Sequence, residues 1–184
     1  MTDRKAAPDW RDHMISRHPT LFGGPSDYRS GRPETGDGWR DLLETAVERL
    51  AYAMQAAPNA TLRIDQVKTK FGTLRFYASG TFAADPDARC AVELAIDLAE
   101  ARSATTCESC GDEGRLYESI GGWLATACPL HADGTAVPLR PERAGLVIRR
   151  RYIDNKLELV SCRRYVRSTD SFVDVDPAEV GIEE

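Results

Sequence analysis

Three of the chain's five cysteines and one of its three histidines fall within a single stretch, residues 105–134. Cys107 and Cys110 form a Cys-x-x-Cys pair followed by a glycine, and Cys128 and His131 form a Cys-x-x-His pair further along. Thiolate and imidazole are ligands that Zn²⁺ prefers, and two such pairs supply the four corners of a tetrahedral site. The sequence therefore predicts a zinc ion bound by Cys107, Cys110, Cys128 and His131.

The donor set also predicts what the metal does. Four protein ligands close the coordination shell of zinc, whereas a catalytic zinc generally keeps one position for water. We therefore expect a structural zinc ion. The segment between the two pairs is predicted to form a hairpin that turns at Gly121 and Gly122, within a treble-clef or zinc-ribbon-like module.

Signatures of common catalytic sites are absent from the sequence. It contains no phosphate-binding loop, no Gly-x-Ser-x-Gly motif, no Gly-x-Gly-x-x-Gly motif and no His-x-Glu segment of the kind that zinc deaminases use. A nuclease of the His-Asn-His type would need a histidine base, but His131 is assigned to the metal. We expect that the protein is not an enzyme, and a metal-dependent nuclease is the second alternative.

Length and composition restrict the class of protein. The chain has 184 residues, of which 42% are hydrophobic, and a formal net charge of −5. This length suggests one core with appendages, and the net charge opposes indiscriminate binding to nucleic acid or to anionic membranes. The start of the chain lacks the apolar run of a secretion signal, and no stretch approaches the roughly 18 apolar residues of a membrane span. With an odd number of cysteines, we expect a cytoplasmic protein with reduced thiols.

Apolar periodicity predicts two main helices. The first runs from Trp39 and ends before Pro58. The second begins after Asp85, the predicted cap, with Pro86 in its first turn. Cys90 falls on the apolar side of this second helix and is predicted to be a small core residue.

Two stretches predict antiparallel hairpins. Residues 62–67 and 73–78 are the predicted strands of the first, whose basic and aromatic side chains favour a solvated charged face over a ligand-binding sheet. β-Branched and aromatic residues on both sides of Asp154 and Asn155 predict the second hairpin, within residues 137–167.

The charge of the C-terminal region is strongly segregated. The second hairpin is rich in arginine, whereas residues 168–184 are acidic, so we predict an acidic tail that is flexible or folds back on the hairpin. Arginines bind phosphates and tyrosines stack on bases, so nucleic-acid binding through this hairpin is the first alternative function. The candidate contact residues are Arg149, Arg150, Arg151, Arg163, Arg164, Tyr152 and Tyr165.

The predicted fold class is α+β, with two helices and β-hairpins around a small core, the zinc module and a C-terminal basic β-hairpin. An N-terminal arm with a short helix around Trp10 to Arg17 precedes the core. The predicted organisation is an arm over residues 1–36, a core over 37–136 that includes the zinc module, a basic hairpin over 137–167 and an acidic tail over 168–184.

Four motifs give the sequence a resemblance to a known family. They are GDGW, QVKTKFGTLRFY, TCESCG and GGWLATACPLH, which occur in this order between about residues 36 and 133. With them the chain resembles a family of small bacteriophage and prophage proteins that have no established function. The resemblance implies the same helix, hairpin and four-ligand zinc module, with Cys107, Cys110, Cys128 and His131 as ligands, and it implies no activity.

A closed metal site, missing catalytic motifs and asymmetric charge lead to one main hypothesis. The chain is expected to be a non-enzymatic, zinc-stabilised interaction protein of mobile-element origin that binds and modulates a macromolecule of the host or phage. A protein is the expected partner, and inhibition of a host defence enzyme is one role that would fit. The sequence predicts no oligomeric state.

Overall fold

The computed structural model describes residues 9–23, 30–82 and 85–182. These residues form three α-helices and three small antiparallel sheets, which confirms the predicted α+β class. The helices are α1 Trp10–Arg17, α2 Arg40–Gln55 and α3 Pro86–Ser103. The first sheet pairs β1 Thr61–Lys70 with β2 Thr73–Thr81.

The two other sheets have three strands each. The second sheet has the order β4-β3-β5 and consists of β3 Arg115–Glu118, β4 Leu124–Ala127 and β5 Thr135–Ala136. The third has the order β6-β7-β8 and consists of β6 Leu146–Ile153, β7 Lys156–Val166 and β8 Ser171–Asp174. None of the helices among the described residues is long and apolar enough to cross a membrane.

The main hydrophobic core lies between the helices and one face of the β1–β2 sheet. On α2 the residues at helical spacing, among them Leu43, Val47 and Leu50, are buried. Alternate residues of β1 and β2, such as Ile64 and Leu74, face the same core. Periodicity therefore predicted the buried face of α2 correctly.

Helix α3 departs from the prediction at its exposed side. Cys90 is exposed, so its prediction as a core residue is wrong. The buried residues of this helix include Ala88 and Val92. Cys90 lies two positions from each of them and therefore points to the opposite side, because successive helical residues are about 100° apart. Asp85 occupies the cap position, but its side chain makes no capping hydrogen bond.

A buried carboxylate joins the third sheet to α3. Asp97 is buried in α3 and accepts hydrogen bonds from Arg149 of β6 and from Arg163 of β7, the latter at 2.7 Å. The hydrogen bond to Asp97 is the largest cause of the raised pKa of Arg149. Glu93, one helical turn before Asp97, accepts a more exposed bond from Arg149 at 3.3 Å. This cluster of opposite charges anchors the basic hairpin.

The acidic C-terminal region folds back on the basic hairpin. Ser171–Asp174 forms β8 and pairs with β7, with Phe172 opposite Tyr165 and Asp174 opposite Arg163. The guanidinium carbon of Arg163 lies 4.6 Å from the ring centre of Phe172. Of the two forms considered for the tail, flexible or folded back, the structure shows the folded one for this strand.

We predict that Asp97→Asn lowers the free energy of unfolding by about 3 kcal/mol, because it leaves two partly buried arginines without their anion. Glu93→Gln is the matched control; it removes a more exposed charge from the same cluster and should cost about 1 kcal/mol or less. Urea denaturation followed by circular dichroism measures both values. Equal effects of the two substitutions would show that Asp97 is not the main anchor.

Candidate metal centre

The structure brings the four predicted ligands together at the open end of the β3–β4 hairpin. Cys107 and Cys110 precede β3, whereas Cys128 and His131 follow β4. Because the two strands are antiparallel, the segments that enter and leave the hairpin meet at the same end. The ligand atoms of all four residues lie within 4.8 Å of one another and could hold a metal ion.

Distances among these atoms fit a tetrahedral ion. The Sγ atoms of Cys110 and Cys128 are 3.7 Å apart, and His131 Nδ1 lies 3.2 Å from Cys128 Sγ and 3.7 Å from Cys107 Sγ. Two sulfurs that each lie about 2.3 Å from a tetrahedral Zn²⁺ are about 3.8 Å apart. The sulfurs form no disulfide, and Nδ1 is the histidine nitrogen that faces them.

The backbone turn around Cys107 and Cys110 positions the sulfurs of this first ligand pair. The Gly111 N–H donates to the carbonyl of Cys107 at 2.9 Å, and the Cys107 N–H donates to the carbonyl of Asp112 at 2.8 Å. Gly111 has a φ of 86°, a left-handed conformation that glycine adopts without steric cost. The tight turn that follows Cys110 therefore depends on a glycine at this position.

The second pair lies on a turn between two strands. The His131 N–H donates to the carbonyl of Cys128 at 3.0 Å, which places both side chains on the same side of the turn. The chain then continues to β5, which pairs with β3. Within the described residues 132–182 no α-helix follows His131; the helical segments there are two short 3-10 helices, Pro141–Arg143 and Pro177–Val180.

The electrostatics of the sulfurs favour a bound cation. Burial disfavours the Cys107 thiolate, but backbone N–H groups of Cys128, Cys110 and Ser109 donate to its sulfur and lower its pKa to about 6. The Asp112 N–H favours the Cys110 thiolate, but desolvation and the hydrogen bonds of the thiol to Cys107, Cys128 and the Asp112 carboxylate raise the pKa of Cys110 to about 12. A divalent cation among these sulfurs would relieve the repulsion between thiolates.

The GDGW segment supports the first ligand pair from behind. The Gly38 N–H donates to the Glu108 carbonyl at 2.8 Å, and the Gly36 N–H donates to the Glu108 carboxylate at 2.9 Å. Trp39 is fully buried in the main core, and its Nε1 donates to the carbonyl of Thr106 at 2.8 Å. The metal-binding turn is therefore fixed to the core by hydrogen bonds on both of its sides.

Sequence reasoning missed the part that Glu108 plays. Its carboxylate also accepts a hydrogen bond from the Thr69 hydroxyl at the end of β1, so it joins three segments. Similarly, the Thr126 hydroxyl of β4 donates to the carbonyl of Gly72 at 2.6 Å. The position of Glu108 between two cysteine ligands was the only signal in the sequence, and it does not reveal contacts with residues more than 35 positions away.

Three of the five arginines proposed to contact nucleic acid form ion pairs within the chain. Arg149 and Arg163 both bind Asp97, and Arg151 lies 3.7 Å from Glu93. These pairs neutralise much of the charge on the side of the hairpin that faces α3. The sequence did not predict these ion pairs, and nucleic-acid contact through the hairpin stays a prediction.

The other candidate contact residues divide into buried and exposed ones. Tyr165 is only 6% exposed and its hydroxyl donates to Asp170 at 2.8 Å, so the expectation that it can stack on a base is wrong. Arg164 donates to two backbone carbonyls, and Arg150 also interacts within the chain. Tyr152 is 73% exposed and keeps the accessibility that was expected.

No protein-family model matches the chain, and no match was found among curated proteins or solved structures. The resemblance to phage and prophage proteins stays a prediction, since none of these comparisons bears on it. The residues of the metal centre and the surfaces around it are what point to a function.

We predict about one zinc ion per chain and loss of the metal on Cys107→Ser or Cys128→Ser, because each removes one corner of the tetrahedron. The matched controls are Cys90→Ser and Cys162→Ser, which change thiols outside the cluster and should retain the metal. Elemental analysis of the purified proteins measures the metal content. Loss of metal from either control would mean that the ligands are wrongly assigned.

A second prediction concerns the glycine behind the metal-binding turn. A Cβ added at Gly38 would lie 2.4 Å from the Cys107 carbonyl oxygen and 2.6 Å from the Cys110 backbone nitrogen. Gly38→Ala should therefore displace this turn and weaken metal binding by about 10- to 100-fold, the usual cost of disturbing the residues that support metal ligands. Competition with a chromogenic chelator measures the affinity.

The control for this experiment is Gly121→Ala at the far end of the hairpin. A Cβ there meets only side-chain atoms, of Trp123 at 3.3 Å and of Ser119 at 3.9 Å. Metal affinity should stay at the wild-type value. An unchanged affinity of Gly38→Ala would show that the GDGW segment does not position the ligands.

Proposed function

We propose that the chain is a non-enzymatic, zinc-stabilised protein that binds and modulates a macromolecular partner. The observation that supports this most is the set of four side chains around the metal centre, Cys107, Cys110, Cys128 and His131. Four protein ligands leave no coordination position for water or substrate, so the ion would stabilise the fold.

Zinc is the metal that the donor chemistry favours. Three thiolates and one imidazole at tetrahedral spacing suit a borderline-soft ion without a redox role, whereas Mg²⁺ and Ca²⁺ prefer oxygen ligands. Cys107 and Cys128 are buried and Cys110 and His131 are exposed. An ion held this way joins the two turns at the base of the β3–β4 hairpin.

Exposed apolar side chains at both ends of the β3–β4 hairpin support a binding role. Ile120 and Trp123 lie at the tip of the β3–β4 hairpin, and Leu130 lies between the last two metal ligands; all three are largely exposed. Three large apolar side chains exposed on so small a module support an interaction surface.

The proposed mobile-element origin rests on the four motifs by which the sequence resembles phage and prophage proteins. In the fold these motifs contact one another: GDGW bonds to the first ligand pair, and the Gly72 carbonyl of KFG accepts from Thr126 of the last motif. The four motifs therefore describe one structural unit. Modulation of a host macromolecule, such as inhibition of a defence enzyme, is the role that we propose for it.

The test uses the full chain loaded with zinc. We expect no turnover of single-stranded or duplex nucleic acid with Mg²⁺ or Mn²⁺, and we expect the immobilised protein to retain a macromolecule from a lysate of its native host. Cys107→Ser should lose this retention, because the binding module loses its metal, whereas Cys90→Ser should keep it. Metal-dependent turnover, or equal retention by both variants, would contradict the proposal.

A further inference from the structure

The outer face of the β1–β2 sheet is basic and aromatic. A bulge after Ile64 shifts the alternation in β1, so that Leu62, Ile64 and Val67 face the core and Gln66 and Lys68 lie on the outer face. On this outer face Lys68 lies opposite Arg75, and Tyr77 lies opposite Gln66. Among the described residues the sheet has two strands, and the segment around Glu34 adds a single parallel bridge to Lys68 at the edge of β1.

Lysines and aromatic rings are paired on this face. Lys68 Nζ lies 5.7 Å from the centre of the Tyr77 ring, and Lys70 Nζ lies 5.3 Å from that of Phe71. Within the described ranges, neither lysine forms an ion pair with a carboxylate, in contrast to Arg149 and Arg163 of the C-terminal hairpin. The charges of these two lysines are therefore available to a ligand.

Phe71 occupies its position at a conformational cost. It lies at the turn between β1 and β2 with a φ of 54°, next to Gly72 with a φ of 74°. A turn with two positive φ values favours Asn followed by Gly, and a bulky residue at such a φ is uncommon. The Phe71 side chain is 66% exposed, so core packing does not account for it. Backbone strain at an exposed aromatic residue indicates a binding role.

A groove lies between Phe71 and the metal-binding module, that is, residues 105–134 with the β3–β4 hairpin and the four candidate ligands. Its volume is about 510 Å³, and it lies between the β1–β2 turn and the tip of the β3–β4 hairpin. Gly121 and Gly122 form part of its wall without side chains, and Trp123 beside them is 80% exposed. The metal-binding module therefore supplies one wall of the groove, and the basic sheet supplies the other.

We propose that this groove and the adjoining face of the sheet bind single-stranded nucleic acid. Phe71, Trp123 and Tyr77 would stack on bases, and Lys68 and Lys70 would contact phosphates, the combination by which proteins hold single strands without reading sequence. The inference rests on the proposed function, because it names the chemical class of the partner.

The geometry favours a strand of several nucleotides. Thr73 and Tyr77 are four residues apart on β2, which corresponds to about 14 Å at about 3.4 Å per residue. Phe71 lies beyond Thr73, at the turn, so Phe71 and Tyr77 are too far apart to stack on the same base. Each ring would therefore stack on a different nucleotide. Lys70 lies between the two rings along the sheet.

The sugar contributes little to this mode of binding. The Thr69 hydroxyl already bonds to Glu108, and the Thr73 hydroxyl bonds to the Lys70 carbonyl and to Arg75. These hydroxyls are therefore engaged within the chain and do not read a 2′-hydroxyl. Thymidine and uridine oligonucleotides of equal length should bind with similar affinity.

Tryptophan fluorescence provides a direct test. Trp10 and Trp39 are 9% and 0% exposed, so Trp123 is the only tryptophan that a ligand can reach. A thymidine dodecamer added to zinc-loaded protein in dilute buffer should quench the fluorescence in a saturable manner. Trp123→Phe keeps a ring for stacking and should still bind by fluorescence anisotropy of a labelled dodecamer, but without the quenching.

Variants of the lysines and of Phe71 locate the site. Lys68→Ala combined with Lys70→Ala should reduce the slope of log K against log salt by about 1.4, because each phosphate that a lysine neutralises on a single strand contributes about 0.7. Arg150→Ala combined with Arg151→Ala is the charge-matched control and should leave the slope unchanged.

The Phe71→Asn variant tests the aromatic residue at the turn. It should weaken binding of the dodecamer about tenfold or more, while the thermal midpoint of unfolding stays equal or rises, since Asn tolerates this φ.

Several results would overturn the inference. These are no binding of the dodecamer to folded, zinc-loaded protein at low salt, a duplex bound as tightly as the single strand, or an equal reduction of the slope in the arginine control. A uridine oligonucleotide bound far more tightly than thymidine would contradict the sugar-independent mode. Retention of a protein from the lysate, without oligonucleotide binding, would overturn this inference but leave the proposed function intact.

Discussion

The metal-binding module has too little apolar material to fold by itself, and this constraint explains much of the structure around it. Its buried cluster consists of Cys107, Ala127 and Cys128, two of which are candidate ligands. A cluster of this size cannot offset the conformational entropy of the hairpin. The attachment to the main core through Trp39 stabilises it, and a metal ion held by the four ligands would stabilise it further.

The same attachment links metal binding to the proposed interaction surface. Glu108 lies between the first two ligands and accepts hydrogen bonds from Gly36 and Thr69, while Thr126 of the hairpin bonds to Gly72. The turn that presents Phe71 is therefore held against the hairpin that presents Trp123. Metal loss would disturb both walls of the groove, although neither aromatic residue contacts the metal.

Sequence reasoning predicted those features that depend on local patterns. Ligand spacing predicted the metal cluster, and periodicity predicted the helices and both hairpins, including the turn at Asp154 and Asn155, whose φ values are 48° and 67°. Local patterns do not predict contacts between residues that are far apart in the sequence. The ion pairs of Arg149 and Arg163 with Asp97 join residues more than 50 positions apart, so local patterns did not predict that these arginines are engaged within the chain. The prediction for Cys90 was wrong because apolar neighbours in the sequence do not determine which side of a helix packs against the core.

The central claim is that three sulfurs and one histidine nitrogen hold a structural zinc ion. X-ray absorption at the zinc edge of the purified protein tests it most directly. We expect three sulfurs at about 2.3 Å and one nitrogen at about 2.0 Å, with no oxygen ligand, in the presence and absence of a thymidine oligonucleotide. A shell that contains water or carboxylate oxygen, or protein that is fully folded without zinc, would contradict the account.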